Sequence, residues 1–367
     1  MTYGTVNADV IQTSTSGGIL GAGNASIMKN RIINGAMVIN QRGFSGTPAN
    51  GAYTLDRYNV FMPVSSKFTV AQSSTAPTGF VNSLLVTSSS AYTVGASEAF
   101  GIQQVIEGYN IADLMWGTAN AKTVTLSFWV YSSLTGTFGG ALQNYASDRS
   151  YPFSYTVSSA NTWTQASITV AGDTTGTWTT TNSGGIALIF SMGTGSTKSG
   201  TAGSWGSTYY TSVTGAVSVV GTNGATFYIT GVQLEVGSSA TGFEYVNYQT
   251  SLANCQRYYW KISGGVDSAS AVYAGVGSGV SNGGTTARIA FPMNTQMRTS
   301  PTISFGGTIY VYDPGVATVS SISTIYGGRQ TGLVEFTTSN ALTSGHGAIC
   351  FTGSTNPTDF VSGSAEL

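Results

Sequence analysis

The stretch Thr226–Tyr245, "TFYITGVQLEVGSSATGFEY", decides the fold because its apolar residues alternate in two registers. Side chains on a strand point alternately to opposite faces, so Phe227 and Ile229 share one face. The apolar residues that follow have the opposite parity: Val232, Leu234 and Val236. One strand can bury all five only if it carries a bulge, and the glycine of Thr230-Gly231 suits that position. The stretch therefore predicts a bulged strand, or two strands that meet at a corner, closing a jelly roll.

Two acids lie in this stretch, Glu235 and Glu244. Glu235 is predicted to point away from the core, on the same side as Gln233, whereas Glu244 follows a turn where the chain leaves the sandwich. Their spacing does not make a catalytic pair. We expect them to bind backbone, a cation or a neighbouring subunit.

The composition indicates a folded protein with a neutral surface. Of 367 residues only 7% are charged, against about 25% in a typical soluble protein. Hydrophobic residues reach 41% and aromatic residues 11%, which is enough to form cores. A surface of Ser, Thr, Asn, Gln and Gly suits uncharged partners such as glycans or other subunits. With a formal net charge of −1 and no basic run, we expect no nucleic-acid partner, no membrane insertion and no secretory leader.

Short strand-like runs separated by Gly, Ser and Asn predict an all-β fold. We predict a jelly-roll β-sandwich followed by a second, smaller β-sandwich, with an extended N-terminal arm. The predicted domains are the arm at 1–34, the jelly roll at 35–249, a short helical junction at 250–260 and the second sandwich at 261–367. The helix is indicated by the helical spacing of Leu252, Cys255 and Tyr259. Cys255 and Cys350 are expected to be buried thiols, with a single disulfide as the alternative.

The predicted strand "TVTLSFWVY" sorts its side chains by face. Val124, Leu126, Phe128 and Val130 form an aliphatic set, which leaves Trp129 and Tyr131 on the opposite face among hydroxyls. Aromatic rings beside hydroxyl groups are typical of sugar-binding surfaces. A covering loop or a neighbouring subunit is the alternative. The candidate glycan-binding residues are Trp129, Tyr131, Trp163, Trp178 and Trp205, the last two in loops.

The sequence gives little support to an enzyme. His346 is the single histidine, which excludes metal motifs that need a histidine pair. The nucleophile-elbow spacing at Gly279–Gly283 lacks a following helical pattern, and we interpret it as chance. The scarce acids that remain candidates are Asp56, Glu107, Asp113, Asp148 and Asp173. Turns, salt bridges or a structural Ca²⁺ explain each of them equally well, and no cofactor is predicted.

Several segments together resemble a recurrent series in phage tail-fibre and appendage proteins. They are "NRIINGAMVINQRG" (Asn30–Gly43), "TLDRYNVF" (Thr54–Phe61), Gly101–Gly140 and Phe227–Lys261. Within them, Gln103 and Gln104 precede "TVTLSFWV" as in jelly-roll carbohydrate-binding modules. The C-terminal "FPMNTQMRTSPTISF" and "SGSAEL" are similar to the small β-sandwich tips of the same proteins. Tyr58 stands where that family often has Trp.

This resemblance implies a virion structural protein, usually a homotrimer, made in the host cytoplasm and exposed on the virion exterior. It implies a host cell-surface glycan as ligand, and docking of residues 1–35 on a tail adaptor or on the capsid. The expected subunit contacts are Leu252, Cys255, Tyr258 and Tyr259. The alternatives are a capsid decoration protein or head fibre, a polysaccharide depolymerase, and a monomeric sugar-binding module.

Overall fold

The computed structural model describes residues 10–12, 19–21, 29–267, 270–353 and 358–367. The chain forms two compact units, the first ending at Tyr248 and the second running from Gln249 to Leu367. Most of the predicted arm lies outside the described residues. Within it, Val10–Gln12 (β1) pairs antiparallel with Ile19–Gly21 (β2).

The first unit consists of short strands joined by turns, as predicted from the Gly- and Ser-rich segments that separate the strand-like runs. After β1 and β2, its described strands are β3 (Ser45–Gly46), β4 (Asn59–Phe61), β5 (Phe68–Ser73), β6 (Ser83–Ser88), β7 (Ala99–Glu107), β8 (Val124–Ser132), β9 (Gly136–Asn144), β10 (Ser150–Val157), β11 (Thr164–Val170), β12 (Gly184–Thr194), β13 (Ser199–Gly200), β14 (Ser212–Val213) and β15 (Thr226–Val236). The described 3₁₀ turns are Gly108–Asn110, Ala112–Leu114 and Ser196–Lys198.

Two antiparallel sheets make the predicted jelly-roll sandwich of the first unit. One has the order β10-β9-β12-β7-β4 and the other β11-β8-β15-β6-β5-β3. Alternate residues of both sheets fill one core, where the ring of Phe128 on β8 packs 5.0 Å from that of Phe190 on β12. Each such ring, fully buried, contributes roughly 1.5–3 kcal/mol through removal from water. The sequence-based prediction of an all-β jelly roll is confirmed.

The predicted bulge lies in β15. Its pairing with β8 shifts register between Thr230 and Gln233, and Gly231 has a left-handed φ of 62°. The shift brings both apolar sets into the same core: Phe227, Ile229, Val232 and Leu234 are all buried. Val236 was expected in the core as well, and this is wrong. It is the last residue of the strand and is 42% exposed.

Residues 29–35 belong to the sandwich rather than to the arm. Beyond Ile229, β15 no longer pairs with β6, and this segment occupies the vacated edge. Arg31 N donates to Leu234 O at 2.9 Å, and Val232 N donates to the carbonyl oxygen of Gly35 at 3.0 Å. The Asn30 side chain supports the same edge, accepting from Leu234 N at 3.0 Å. The arm boundary predicted at residue 34 is therefore corrected to residue 29, because the bulge creates the edge that these residues fill.

The second unit begins within helix α1 (Tyr248–Gln256), which contributes all but its first residue to this unit. Its strands are β16 (Tyr259–Ser263), β17 (Gly265–Asp267), β18 (Ser270–Val272), β19 (Gly275–Pro292), β20 (Thr302–Gly306), β21 (Ile309–Tyr312), β22 (Val316–Gly327), β23 (Thr331–Leu342), β24 (Gly347–Thr352) and β25 (Phe360–Ser364).

The larger sheet of this unit closes into a barrel of order β19-β23-β22-β21-β24, beside a sheet of order β16-β25-β20. Closure follows from the length of β19, which pairs with β24 through its first half and with β23 through its second half. The core is continuous between barrel and sheet, since the Trp260 ring packs 5.4 Å from Phe291. The second β unit is thus a barrel with a packed sheet, where the sequence predicted a simple sandwich.

The short helix predicted at 250–260 is present at Tyr248–Gln256, and its environment corrects three of the four expected subunit contacts, while Leu252 stays a prediction. Cys255, Tyr258 and Tyr259 are buried within their own chain, and Leu252 is half-buried. Side chains already covered in one chain do not present a surface to another. Cys255 and Cys350 are buried thiols that form no disulfide, as predicted, and burial raises the pKa of Cys350 to about 12. None of the described helices has the length and apolar character required to cross a membrane.

The bulge generates a stability prediction for Gly231→Ala. A Cβ there would lie 2.7 Å from Cζ of Phe80 and 3.1 Å from Cδ1 of Trp129, at a φ unfavourable for L-residues. We expect a loss of about 2–4 kcal/mol in the free energy of unfolding, measured by urea denaturation. Gly224→Ala is the matched control, since Gly224 has φ +74 and open space around it. It should lose only about 1 kcal/mol. Equal losses in the two variants would refute the steric part of this explanation.

Candidate functional site

An aromatic cluster lies on the outer surface of the six-stranded sheet. We define the aromatic face as Trp129 and Tyr131 on β8, Trp163 just before β11, and Tyr228 on β15. Alternation places Trp129 and Tyr131 opposite the aliphatic core set, and Tyr228 pairs directly with Tyr131 across the strands. The Tyr131 ring lies 5.5 Å from Trp163 and 5.1 Å from Tyr228. Three of the four rings thus form one contiguous group that the fold holds in place.

The polar atoms of the aromatic face have no partner in the described chain. The indole N–H groups of Trp129 and Trp163 and the hydroxyls of Tyr131 and Tyr228 make no described hydrogen bond, although all four residues are only half-buried. Burial, followed by the nearby Tyr131, raises the pKa of Tyr228, so its hydroxyl stays protonated at neutral pH. The described ion pairs and cation–π contacts involve none of the four rings. The surface is uncharged, apolar on its ring faces and rich in donors.

A second aromatic group adjoins the bulge. Phe80 packs against Phe243 at 5.1 Å and Tyr245 at 5.6 Å, and the Tyr245 hydroxyl donates to Gly79 O at 2.9 Å. Phe80 and Trp129 both lie against Gly231. Trp129 therefore stands between the two aromatic groups. Sequence reasoning missed Tyr228 and Phe80. Strand alternation places Tyr228 on the same face as Thr230, which pairs with Trp129, and could have revealed Tyr228. No sequence pattern points to Phe80.

Trp178 and Trp205 lie elsewhere and pack with Trp116. The three rings are mutually T-shaped, with centroids 4.7 to 5.3 Å apart. Each indole N–H donates to a backbone carbonyl, the shortest being Trp205 Nε1 to Ala171 O at 2.7 Å. Trp178 is buried, and Trp205 packs against the main core. Their assignment as glycan-binding residues is corrected to packing, because both loops fold back onto the body of the sandwich.

The outer surface of the other sheet is covered by the long loop after β12. Ser150 Oγ donates to Thr208 O at 2.6 Å, and Gln143 Nε2 donates to Tyr210 O at 2.6 Å. Gly203 N donates to Pro152 O at 3.0 Å, so the loop is fixed to both β9 and β10. The aromatic face on the six-stranded sheet has no such described loop bonded across it.

Glu235 and Glu244 bind backbone, as the sequence predicts. Glu235 is 2% exposed and accepts from Thr241 N at 2.8 Å and from Gln233 Nε2 at 2.9 Å, with Lys29 Nζ at 3.7 Å. Glu244 accepts from Asn30 N at 2.8 Å. These contacts join the end of β15 to the segments that precede and follow it in the chain.

The other candidate acids are distributed among separate structural interactions. Asp173 binds Arg149 through two hydrogen bonds of 2.7 Å, and Asp113 binds Arg31 at 2.7 Å. The Asp56 carboxylate accepts from Gln41 N and Nε2 at 2.7 and 2.6 Å, and Asp148 accepts from Asn144 at 2.6 Å. Glu107 is buried. In the part of the chain that the structure describes, no three His, Cys, Asp or Glu side chains form a group suited to a metal ion.

The nucleophile-elbow spacing lies inside β19, with no turn into a helix after Ser281. Asp313 nevertheless binds His346 Nδ1 at 3.0 Å and Thr343 N at 2.6 Å. This dyad connects the turn before β24 to the end of β21. A nucleophile elbow requires a turn from a strand into a helix, and the described β19 continues as a strand through Ser281.

Comparisons with known proteins give only distant similarities. No family model matches the chain, and no curated protein matches it. Among solved structures, the tailspike protein 4 enzymatically active domain of bacteriophage CBA120 is 12% identical, with a TM-score of 0.33 over 57% of this chain and 22% of that chain. A family 4 carbohydrate-binding module is 14% identical, with a TM-score of 0.30 over 56% and 98%. A putative sugar binding protein from Bacteroides thetaiotaomicron is 10% identical, with a TM-score of 0.34 over 57% and 100%. The chain thus spans about a fifth of the tailspike domain, and similarities of this size do not identify its function.

The two groups of tryptophans predict losses of stability of different size. Trp178→Ala removes a buried ring and leaves a cavity, so we expect a loss of about 3–5 kcal/mol in the free energy of unfolding. Trp163→Ala removes a half-exposed ring and should cost about 1 kcal/mol or less. Denaturant melts followed by circular dichroism measure both. A larger loss for Trp163→Ala than for Trp178→Ala would reverse this assignment.

The Asp173–Arg149 pair predicts a pH dependence. Burial alone would raise the pKa of Asp173, but hydrogen bonds from Arg149 and Thr175 and the Arg149 charge outweigh it and hold this pKa below its ordinary value. Its stabilisation is therefore present above the unfolded pKa of about 3.9 and is lost as pH falls through the lower folded value. Asp173→Asn should lose about 2–3 kcal/mol at pH 7 and flatten the acid limb of stability against pH. An acid limb that is unchanged in the Asp173→Asn variant would contradict this explanation of the pH dependence.

Proposed function

We propose that this chain is a bacteriophage virion structural protein, a homotrimeric fibre that binds a host cell-surface glycan through its aromatic face. The observation that carries the proposal is the group of Trp129, Tyr131, Trp163 and Tyr228, half-exposed and with unpartnered N–H and O–H groups. Sugars offer apolar C–H faces to aromatic rings and hydroxyls to hydrogen-bond donors. The surface supplies both, without charge.

The neutrality of the surface supports an uncharged ligand. Gln165, exposed directly opposite Trp129 on β11, adds an amide that can both donate to and accept from a sugar hydroxyl. Few charged residues occur in the whole chain, so long-range attraction contributes little to association. Affinity for the glycan should therefore change little with ionic strength.

The virion role is proposed from the ordered series of segments from Asn30 to Lys261 that resemble phage appendage proteins. We further propose that the chain does not hydrolyse its ligand, since the candidate acids bind backbone, arginine or amide groups within the fold. Mass spectrometry of purified virions tests the location. Incubation of bound polysaccharide followed by product analysis tests hydrolysis. Released oligosaccharides would instead support a depolymerase.

The test of glycan binding is an array screen with the purified full chain, followed by titration calorimetry on the best ligand. Trp163→Ala and Tyr131→Ala should each weaken binding by about tenfold or more, because central aromatic contacts carry most of the energy of such surfaces. Tyr109→Ala is the matched control, since Tyr109 is an exposed tyrosine of the same unit outside the aromatic face. It should bind as the unchanged chain does.

Two outcomes would refute this site. The first is an array that returns no ligand although the chain is folded. The second is equal affinity for Trp163→Ala, Tyr131→Ala and Tyr109→Ala, which would place the binding surface elsewhere.

A further inference from the structure

The barrel of the second unit has an apolar outer surface. We define the apolar barrel face as Tyr273, Tyr310, Tyr312, Val316, Ile349 and Phe351. Cross-strand pairing makes these residues neighbours: Tyr312 pairs with Ile349 on one side and with Val316 on the other, and Tyr310 pairs with Phe351. The Phe351 ring lies 5.9 Å from Tyr273 and 5.7 Å from Tyr310.

These residues are not part of the barrel core. Strand alternation directs Val311 and Cys350, their chain neighbours, to the inside, where both are fully buried. On the outside, Ile349 is 54% exposed, Val316 53% and Tyr312 48%. A half-exposed tyrosine leaves on the order of 100 Å² in water, so the face exposes roughly 400 Å² of contiguous, mainly apolar surface. Apolar patches of this size on soluble proteins mark interaction sites.

The chemistry of the face favours protein over sugar. Its aliphatic members, Ile349 and Val316, offer no ring to stack on a sugar. The outward positions that adjoin these residues are Ser278, Val280, Thr318 and glycines, so none of these neighbours offers a side-chain amide or carboxylate to sugar hydroxyls. This differs from the aromatic face of the first unit, where indole and amide groups accompany the rings.

The absence of charge favours a second copy of this chain as the partner. In residues 275–280 of β19, which pair with β24, and in β21, β24 and residues 316–320, no described outward position carries an Asp, Glu, Lys or Arg. The outward Arg288 lies in the other half of β19 and pairs with Glu335 on β23. Asp313, next to Tyr312, is buried and bound by Thr343 N and His346. When copies of one surface meet, every charge faces its like, which costs free energy, whereas an uncharged face meets its copy without repulsion.

We propose that the apolar barrel face is a contact between copies of this chain, packed side chain against side chain. A closed barrel presents no free strand edge in this sheet, so the contact does not require strand addition. A stable interface buries about 800 Å² on each partner, so the apolar face supplies its centre and the surrounding Ser, Thr and Gly positions its rim. The inference rests on the proposed homotrimer and extends it by placing this face at the symmetry axis, where three copies of one surface meet.

The experiment measures the mass of the full chain by sedimentation equilibrium and light scattering. The unchanged chain should be oligomeric. Ile349→Glu and Val316→Glu, each introducing like charges at the contact, should lower the mass to that of a monomer or raise the dissociation constant at least tenfold. Val81→Glu is the matched control, since Val81 is 67% exposed in the first unit, and it should keep the parental mass. Circular dichroism melts confirm that each variant is folded.

A monomeric unchanged chain at high concentration would overturn the proposal, as would variants that are folded and keep the parental mass. If the glutamate variants do not fold, oxidation of Val316→Cys gives an independent answer. The native Cys255 and Cys350 are buried, so a covalent dimer would report contact between the barrel faces, whereas its absence in an oligomeric sample would exclude that contact. Glycan titration of the monomeric variant separates the two proposals, since loss of self-association leaves the aromatic face intact.

Discussion

The left-handed backbone at Gly231 is the constraint on which the first unit depends. By adding one residue to β15, the bulge puts Phe227 and Ile229 into the same core as Val232 and Leu234. It also ends the pairing with β6, and the freed edge binds residues 30–35 through backbone and Asn30 hydrogen bonds. A side chain at this position would collide with Phe80 and Trp129. The backbone geometry at Gly231 thus affects the packing of the core, the position of residues 30–35 and the aromatic surface.

Near this bulge, some polar side chains are hydrogen-bonded within the fold, and others are not. Backbone N–H groups donate hydrogen bonds to Glu235, near the end of β15, and to Glu244, which follows this strand. These two acids therefore stabilise the fold. The side-chain N–H and O–H groups of the aromatic face have no such partners among the described residues. In a chain with 7% charged residues, unpartnered neutral donors beside open rings are the features best suited to an uncharged ligand. Few charges also allow two copies of the apolar barrel face to meet without repulsion.

Tryptophan position alone did not separate binding from packing. Trp178 and Trp205 occur in Gly-, Ser- and Thr-rich loops, where the sequence predicts binding residues, as it does for Trp129 on its strand. Only the fold brings Trp178 and Trp205 against Trp116 and satisfies their N–H groups with backbone carbonyls. The helix at the start of the second unit gives a similar result. Spacing predicted it, but Cys255 and Tyr258 are buried in their own chain, which the spacing does not reveal.

The sequence by itself determined the features that depend on the alternation of side chains along strands and on the position of glycine. It predicted the all-β jelly roll, the bulge at Thr230-Gly231, the outward direction of Trp129 and Tyr131, the buried thiols and the structural use of Glu235 and Glu244. Tertiary structure decided what depends on contacts between distant segments. It placed Phe80 against the bulge, joined residues 29–35 to β15, and closed the second sheet into a barrel through the two halves of β19. A strand's period fixes which side of it is apolar, whereas which loop, strand or subunit covers that side depends on partners far away in sequence.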